Sequence, residues 1–281
     1  ATPYTDSYHD LDIYFELLSW KLSEPQLHLG SLSLGAESTV IFESENYYRG
    51  ERMQQIKGLD EVGPLMNIQK VTALYGRNVL TLDEMAQGLR MSKEATHRFM
   101  LQMSIMSFVN YDQANETITV KDKLFNYIQN ERGKRDFDVI RFNSGLDGGA
   151  NASVSLLTND MEIRGIRAIA LSDSQEVALF PKGRKITVHE GLDFDFDGRI
   201  TAGRFSFWGS KFFFDYDLFQ MNMVAIDSMR FKVPSFTTDD NGNRKLIDVK
   251  NVLQNINGEL LIDKPLNKSG KVSYTEYPIF R

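Results

Sequence analysis

The chain has 281 residues, 42% of them hydrophobic and 25% charged, with a net charge of −6. That is the profile of a globular protein able to bury a sizeable core in one or two domains. It contains no cysteine, which excludes disulfides, thiolate nucleophiles, Cys-ligated zinc and iron–sulfur clusters. The acidic balance supplies no overall basic field for nucleic acid or an anionic membrane, and no apolar run reaches the ~18 residues that cross a bilayer as a helix.

Residues 10–50 alternate apolar and polar side chains in "DIYFELLSWKL" and "STVIFES", punctuated by Pro25 and by "HLGSLSLGAES". This pattern predicts strands over a β-rich segment, 1–60. The opening "ATPYTDSYHD" has neither an initiator Met nor a charged-then-apolar leader, and "YTEYPIFR" ends as a strand without a closing turn. Both ends are therefore expected to be cuts in a longer protein. A short helix is expected in "ENYYRGERMQQIK", broken by Gly58 and by Gly63-Pro64.

Between 61 and 135 the period changes. "NIQKVTALYGRNV" predicts a helix, and in "TLDEMAQGL" Thr81 and Glu84 have the spacing of a capping box. Ser92 is a good N-cap for a longer helix in which Ala95, Phe99, Met103 and Met106 recur at helical spacing. "VNYDQANETITV" reads as strand, polar turn and strand, and "KDKLFNYIQN" as a closing helix. Helix, tight turn, longer helix and hairpin together resemble a winged helix–turn–helix module over 67–132. In that family the second helix faces the partner. Here that helix offers Lys93, Thr96, His97, Arg98 and Gln102 as an interaction surface. The wing tip, Asp112 to Glu116, would repel phosphate, and residues 68–135 hold ten Lys or Arg against seven Asp or Glu. A surplus of three is small for a module that must contact several phosphates, so protein docking is favoured over nucleic-acid binding.

Residues 136–281 return to short alternating strands. "GRITAGRFSFWGSKFFFDYD" places an apolar residue at every second position with intervening Gly. The expected fold is mainly β, a stacked-strand solenoid or β-helix-like body with Gly at its corners, carrying the winged-helix-like module as an insert. Asn241-Gly242 predicts a tight hairpin turn.

Two stretches half-match a calcium loop. Asp193, Asp195, Asp197 and Gly198 fit its first positions, but Arg204 stands where the bidentate carboxylate belongs. An amphipathic strand with Phe194 and Phe196 inward and the aspartates wet accounts for the same residues. Asp239, Asn241, Gly242 and Asp248 begin instead from Thr237, a poor ligand, and the hairpin already explains them. His9, His28, His97 and His189 show no metal-ligand spacing, and nucleotide-loop and nucleophile-elbow motifs are absent. Neither a metal, a cofactor nor a catalytic residue is assigned. A carbohydrate-active or carbohydrate-binding role would require carboxylates such as Asp215 and Asp217 in a cleft lined by Trp208, Phe213 or Tyr216.

"FNSGLDGGANASVSLL", "LSDSQEVALFP", "FDGRITAGRFSFWG" and "NGELLIDKPLNKSG" together resemble a family of very large, uncharacterised envelope or secreted proteins of Bacteroidota bacteria. The resemblance implies an extracytoplasmic location, in the periplasm or at the outer membrane. The expected role is a non-enzymatic structural or interaction segment whose partners are other segments of the parent protein or another envelope protein.

Overall fold

The structure is a computed structural model describing residues 3–32, 38–57, 63–238, 244–249 and 253–281. Ahead of the helices come β1 (Tyr4–Asp6), β2 (Leu11–Tyr14), β3 (Leu17–Trp20), β4 (Gln26–Gly30) and β5 (Ser38–Ser44). The helical insert runs α1 (Gly50–Lys57), α2 (Pro64–Tyr75), β6 (Val79–Thr81), α3 (Leu82–Leu89), α4 (Lys93–Ile105), β7 (Val109–Asp112), β8 (Thr117–Val120) and α5 (Asp122–Glu131). The chain continues through β9 (Arg141–Leu146), β10 (Ala152–Ser155), β11 (Met161–Arg164), β12 (Ile169–Ser172), β13 (Val177–Pro181) and β14 (Lys185–Val188). It closes with β15 (Phe194–Ala202), β16 (Phe205–Asp215), β17 (Gln220–Thr238), β18 (Arg244–Asp248), β19 (Leu253–Leu261) and β20 (Ile279–Phe280).

The expected solenoid is overturned. The strands form open antiparallel sheets in a sandwich-like layout, neither closed nor coiled into a β-helix. One small sheet has the order β1-β2-β5-β9, and a large one runs from β20 through β19, β17, β16, β15, β14, β11, β10 and β4 to β3. The in–out alternation expected of the strands is present. Phe194 and Phe196 are buried, as are Phe212 and Phe214 opposite them. Alternation has the same period in a solenoid rung and in a hairpin, so it does not distinguish them. The turns do. Ala202 pairs with Phe205 across the two residues Gly203 and Arg204, a hairpin that reverses the strand rather than stacking it. Nor do all of the glycines mark corners. Gly198 and Gly209 face each other inside β15 and β16, beside register shifts in both strands.

β5 and β9 pair directly, so the strands before and after the insert share one core. In it Leu11, Ile13, Val40, Phe42 and Phe142 of the small sheet pack on the large sheet, with Phe142 edge-to-face on Phe194 at 5.7 Å. The insert has a separate core that includes Leu65, Ile68, Met85, Met100, Phe108, Leu124 and Tyr127. Its local signals act as read. Thr81 and Glu84 form a capping box, and the Ser92 side chain accepts from the Ala95 amide. Its three strands, in the order β6-β8-β7, form their own antiparallel sheet. Of the hairpin and second calcium half-match, Asp239, Asn241 and Gly242 lie outside the described residues, as does Gly58.

Candidate functional site

The insert meets the β-body across the outer face of the small sheet. Because side chains alternate, Leu11, Ile13, Phe42 and Phe142 enter the core, and Asp12, Glu43 and Arg141 stand on the opposite face. Asp12 lies directly opposite Glu43, and Glu43 directly opposite Arg141. Two carboxylates facing each other across strands repel. Both are also almost wholly buried, which makes unpaired charge prohibitive there.

Cations from the insert and from β9 resolve the conflict. Asp12 receives Lys123, itself buried, and Lys121 at 3.4 Å. It also accepts from the Thr5 hydroxyl at 2.8 Å and the Ser107 hydroxyl at 3.0 Å. Burial alone would raise the Asp12 carboxyl, but Lys123, then Lys121 and Thr5, bring it below the ordinary carboxylate value. Glu43 accepts from Arg52 at 2.8 Å and from the Tyr14 hydroxyl at 3.1 Å, with Arg141 Nε at 3.7 Å. Burial and then the Glu43 charge push the Tyr14 hydroxyl up. Against the cost of burial, Glu43 and Tyr14 hold Arg52 firmly protonated.

Two cavities open along this seam. One, of about 370 Å³, is lined by residues including Tyr14, Glu43, Arg49, Arg52, Gln55 and Arg141. The other, of about 380 Å³, is lined by residues including Thr5, Asp12, Asn78, Lys121 and Lys123. Sequence reading alone missed the seam, although one signal was present. Lys121 is the N-cap of α5 and Lys123 lies in its first turn, where the helix dipole disfavours cations. A local rule broken in this way calls for a tertiary partner, and Asp12 is that partner.

A second polar knot closes the neck of the insert. Asp138, fully buried, accepts from Ser44 Oγ at 2.5 Å, the Ile140 amide at 2.9 Å and Tyr216 Oη at 2.8 Å. Burial pushes its carboxyl up. Tyr216 also accepts from Asn46 Nδ2 at 3.1 Å. On the outer face of the large sheet, His189 places Nδ1 2.7 Å from Asp160 and Nε2 2.7 Å from Asp195. Burial alone would lower its imidazole, but the bonds to the two carboxylates raise it.

The sequence-derived surface on α4 divides. Thr96 is buried with its hydroxyl on the Ser92 carbonyl, and His97 Nδ1 lies 2.8 Å from Tyr111 Oη. Lys93 is held by Glu116 at 2.6 Å and Asp83 at 3.2 Å. Arg98 and Gln102 are exposed, and Ile105 continues the same helix face in the open. The three aspartates of the first calcium half-match diverge. Asp193 accepts from the Tyr216 amide, Asp195 meets His189, and Asp197 accepts from the Lys211 amide. Among the described residues no group of three His, Asp or Glu could hold a metal ion. The aromatics required for a sugar cleft also separate. Tyr216 is buried on Asp138, Phe213 stacks on His189, and Trp208 lies under Arg230.

No helix of the described residues is long and apolar enough to cross a membrane. Comparison with protein-family models, with curated proteins and with solved structures yields no match.

Proposed function

We propose that the chain is a non-enzymatic interaction segment of a large extracytoplasmic envelope protein, joined edge to edge with a neighbouring segment of its parent. The observation that carries this reading is strand β3. It ends the large sheet, and all four of its residues, Leu17, Leu18, Ser19 and Trp20, are exposed. An edge strand offers every second backbone N–H and C=O to an incoming strand, and apolar side chains on it favour strand addition over solvent. Leu18 and Trp20 pair with Leu29 and Leu27 of β4, so they extend the sheet's inner face beyond its core. The helical insert, with the strand and helix order of a winged helix, adds a second surface through Arg98, Gln102 and Ile105 of α4. Its reading as a protein-docking module rests on Lys93 being neutralised by two carboxylates, which removes a phosphate contact.

Photo-crosslinking in the parent protein tests the proposal, with a reactive side chain at Leu18 or Gln102 and a control at Gln54. Discrete adducts joining Leu18 to another segment of the parent, absent at Gln54, are expected. Absence of adducts at Leu18 would overturn it. So would binding of duplex DNA by this chain at micromolar concentration that falls steeply with salt, which is the nucleic-acid alternative.

A further inference from the structure

We propose that the cavity between α1 and the small sheet binds a small oxyanion, the carboxylate or phosphate group of a diffusible ligand. Three guanidinium groups line it, those of Arg49, Arg52 and Arg141. They face two carboxylates, buried Glu43 and exposed Glu51. Glu43 accepts from Arg52 and Tyr14, both at Oε2. Arg141 Nε is buried without a hydrogen-bond partner among the described residues, and Glu43 Oε1 is 3.7 Å away, beyond hydrogen-bond reach. A buried donor left unmade is costly, and a guanidinium presents its donors as a planar fork suited to carboxylate or phosphate.

Charge within the cavity points the same way, with three arginines to its two carboxylates; along the rest of the seam Lys121 and Lys123 are matched by Asp12, Glu45 and Asp122. Arg49 stands at the rim, 3.5 Å from Asp173, and the exposed amide of Gln55 supplies a neutral donor. At about 370 Å³ the space suits a small molecule. An oxyanion there would complete Arg141.

The test is titration of the intact chain with inorganic phosphate and, separately, with glutarate, at ionic strength held constant by sodium chloride. Calorimetry and the Arg141 Nε–H resonance report binding. At least one probe is expected to saturate with Kd at or below about 1 mM, and Arg141→Gln to weaken it at least about tenfold. Arg281→Gln, on an exposed residue paired with Glu259, is expected to leave it unchanged. Saturation by phosphate alone assigns a phosphoryl ligand, and by glutarate alone a carboxylate. Arg141→Gln leaves Glu43 paired with Arg52. Should that variant misfold by circular dichroism, Arg49→Gln on the exposed rim carries the same expectation. Failure of both probes to saturate, or undiminished binding by the folded variant, overturns the proposal.

Discussion

Asp12 joins three parts of the molecule at once, touching β1, the turn after α4 and the start of α5. Removing one member of a buried ion pair strands the others. Asp12→Asn is therefore expected to cost about 3–5 kcal/mol in urea unfolding, since Lys121 and Lys123 lose their counter-charge. The pH dependence follows from the direction of the shift. The folded Asp12 carboxyl lies below its ordinary value of 3.8. Its stabilisation is present above that value and disappears as pH falls through the folded one. Wild-type stability is expected to drop on acidification below about pH 4 more steeply than that of Asp12→Asn, measured as urea midpoint against pH. His189 works in the opposite sense. With its imidazole raised by Asp160 and Asp195, its contribution is complete below the ordinary histidine value and fades as pH rises through the folded one.

At the scale of elements, the paired glycines of β15 and β16 sit where the large sheet shifts register. Gly198 has φ of 152°, and a Cβ there would drive into the Phe180 carbonyl oxygen of β13. β15 pairs with both β13 and β14, so the strand must shift register at this point to serve two partners. Gly198→Ala is expected to destabilise the fold by about 2–3 kcal/mol in chemical denaturation, through backbone strain and displacement of β13. Thr201→Ser, on the same strand and keeping the hydroxyl that donates to the Ala178 carbonyl, provides a mild comparison. In the insert, caps and periodicity define α3 and α4 before any tertiary contact, which is why their boundaries were legible in sequence. β6 was not. Three residues, Val79–Thr81, are too few to show alternation, and only pairing with β8 makes them a strand.

Over the whole molecule, two hydrophobic cores are joined by a polar layer, a neck and a clasp. The neck is Asp138 with Ser44 and Tyr216. The clasp is the segment after β19. There Lys268 and Ser269 donate backbone N–H groups to Asp136, and Lys271 reaches the carbonyls of Asn130 and Arg135. Three separate fastenings predict that insert and β-body open together. Native-state hydrogen exchange is expected to give the slowest amides of α5 and of β16 the same opening free energy, and Asp12→Asn to separate them. Independent opening in the wild type would mean that the seam does not couple the two cores.

Local grammar determined where side chains point and where helices begin. Alternation buries Phe194 and Phe196 whatever their strand pairs with, and Thr81 and Ser92 cap their helices using atoms three residues away. Pairing direction and partner were decided only in three dimensions, because a period of two is common to hairpin and stacked rung alike. The charged seam was decided there too. Lys123 lies 111 positions from Asp12, and nothing at that range constrains either residue until the small sheet turns its polar face toward the insert.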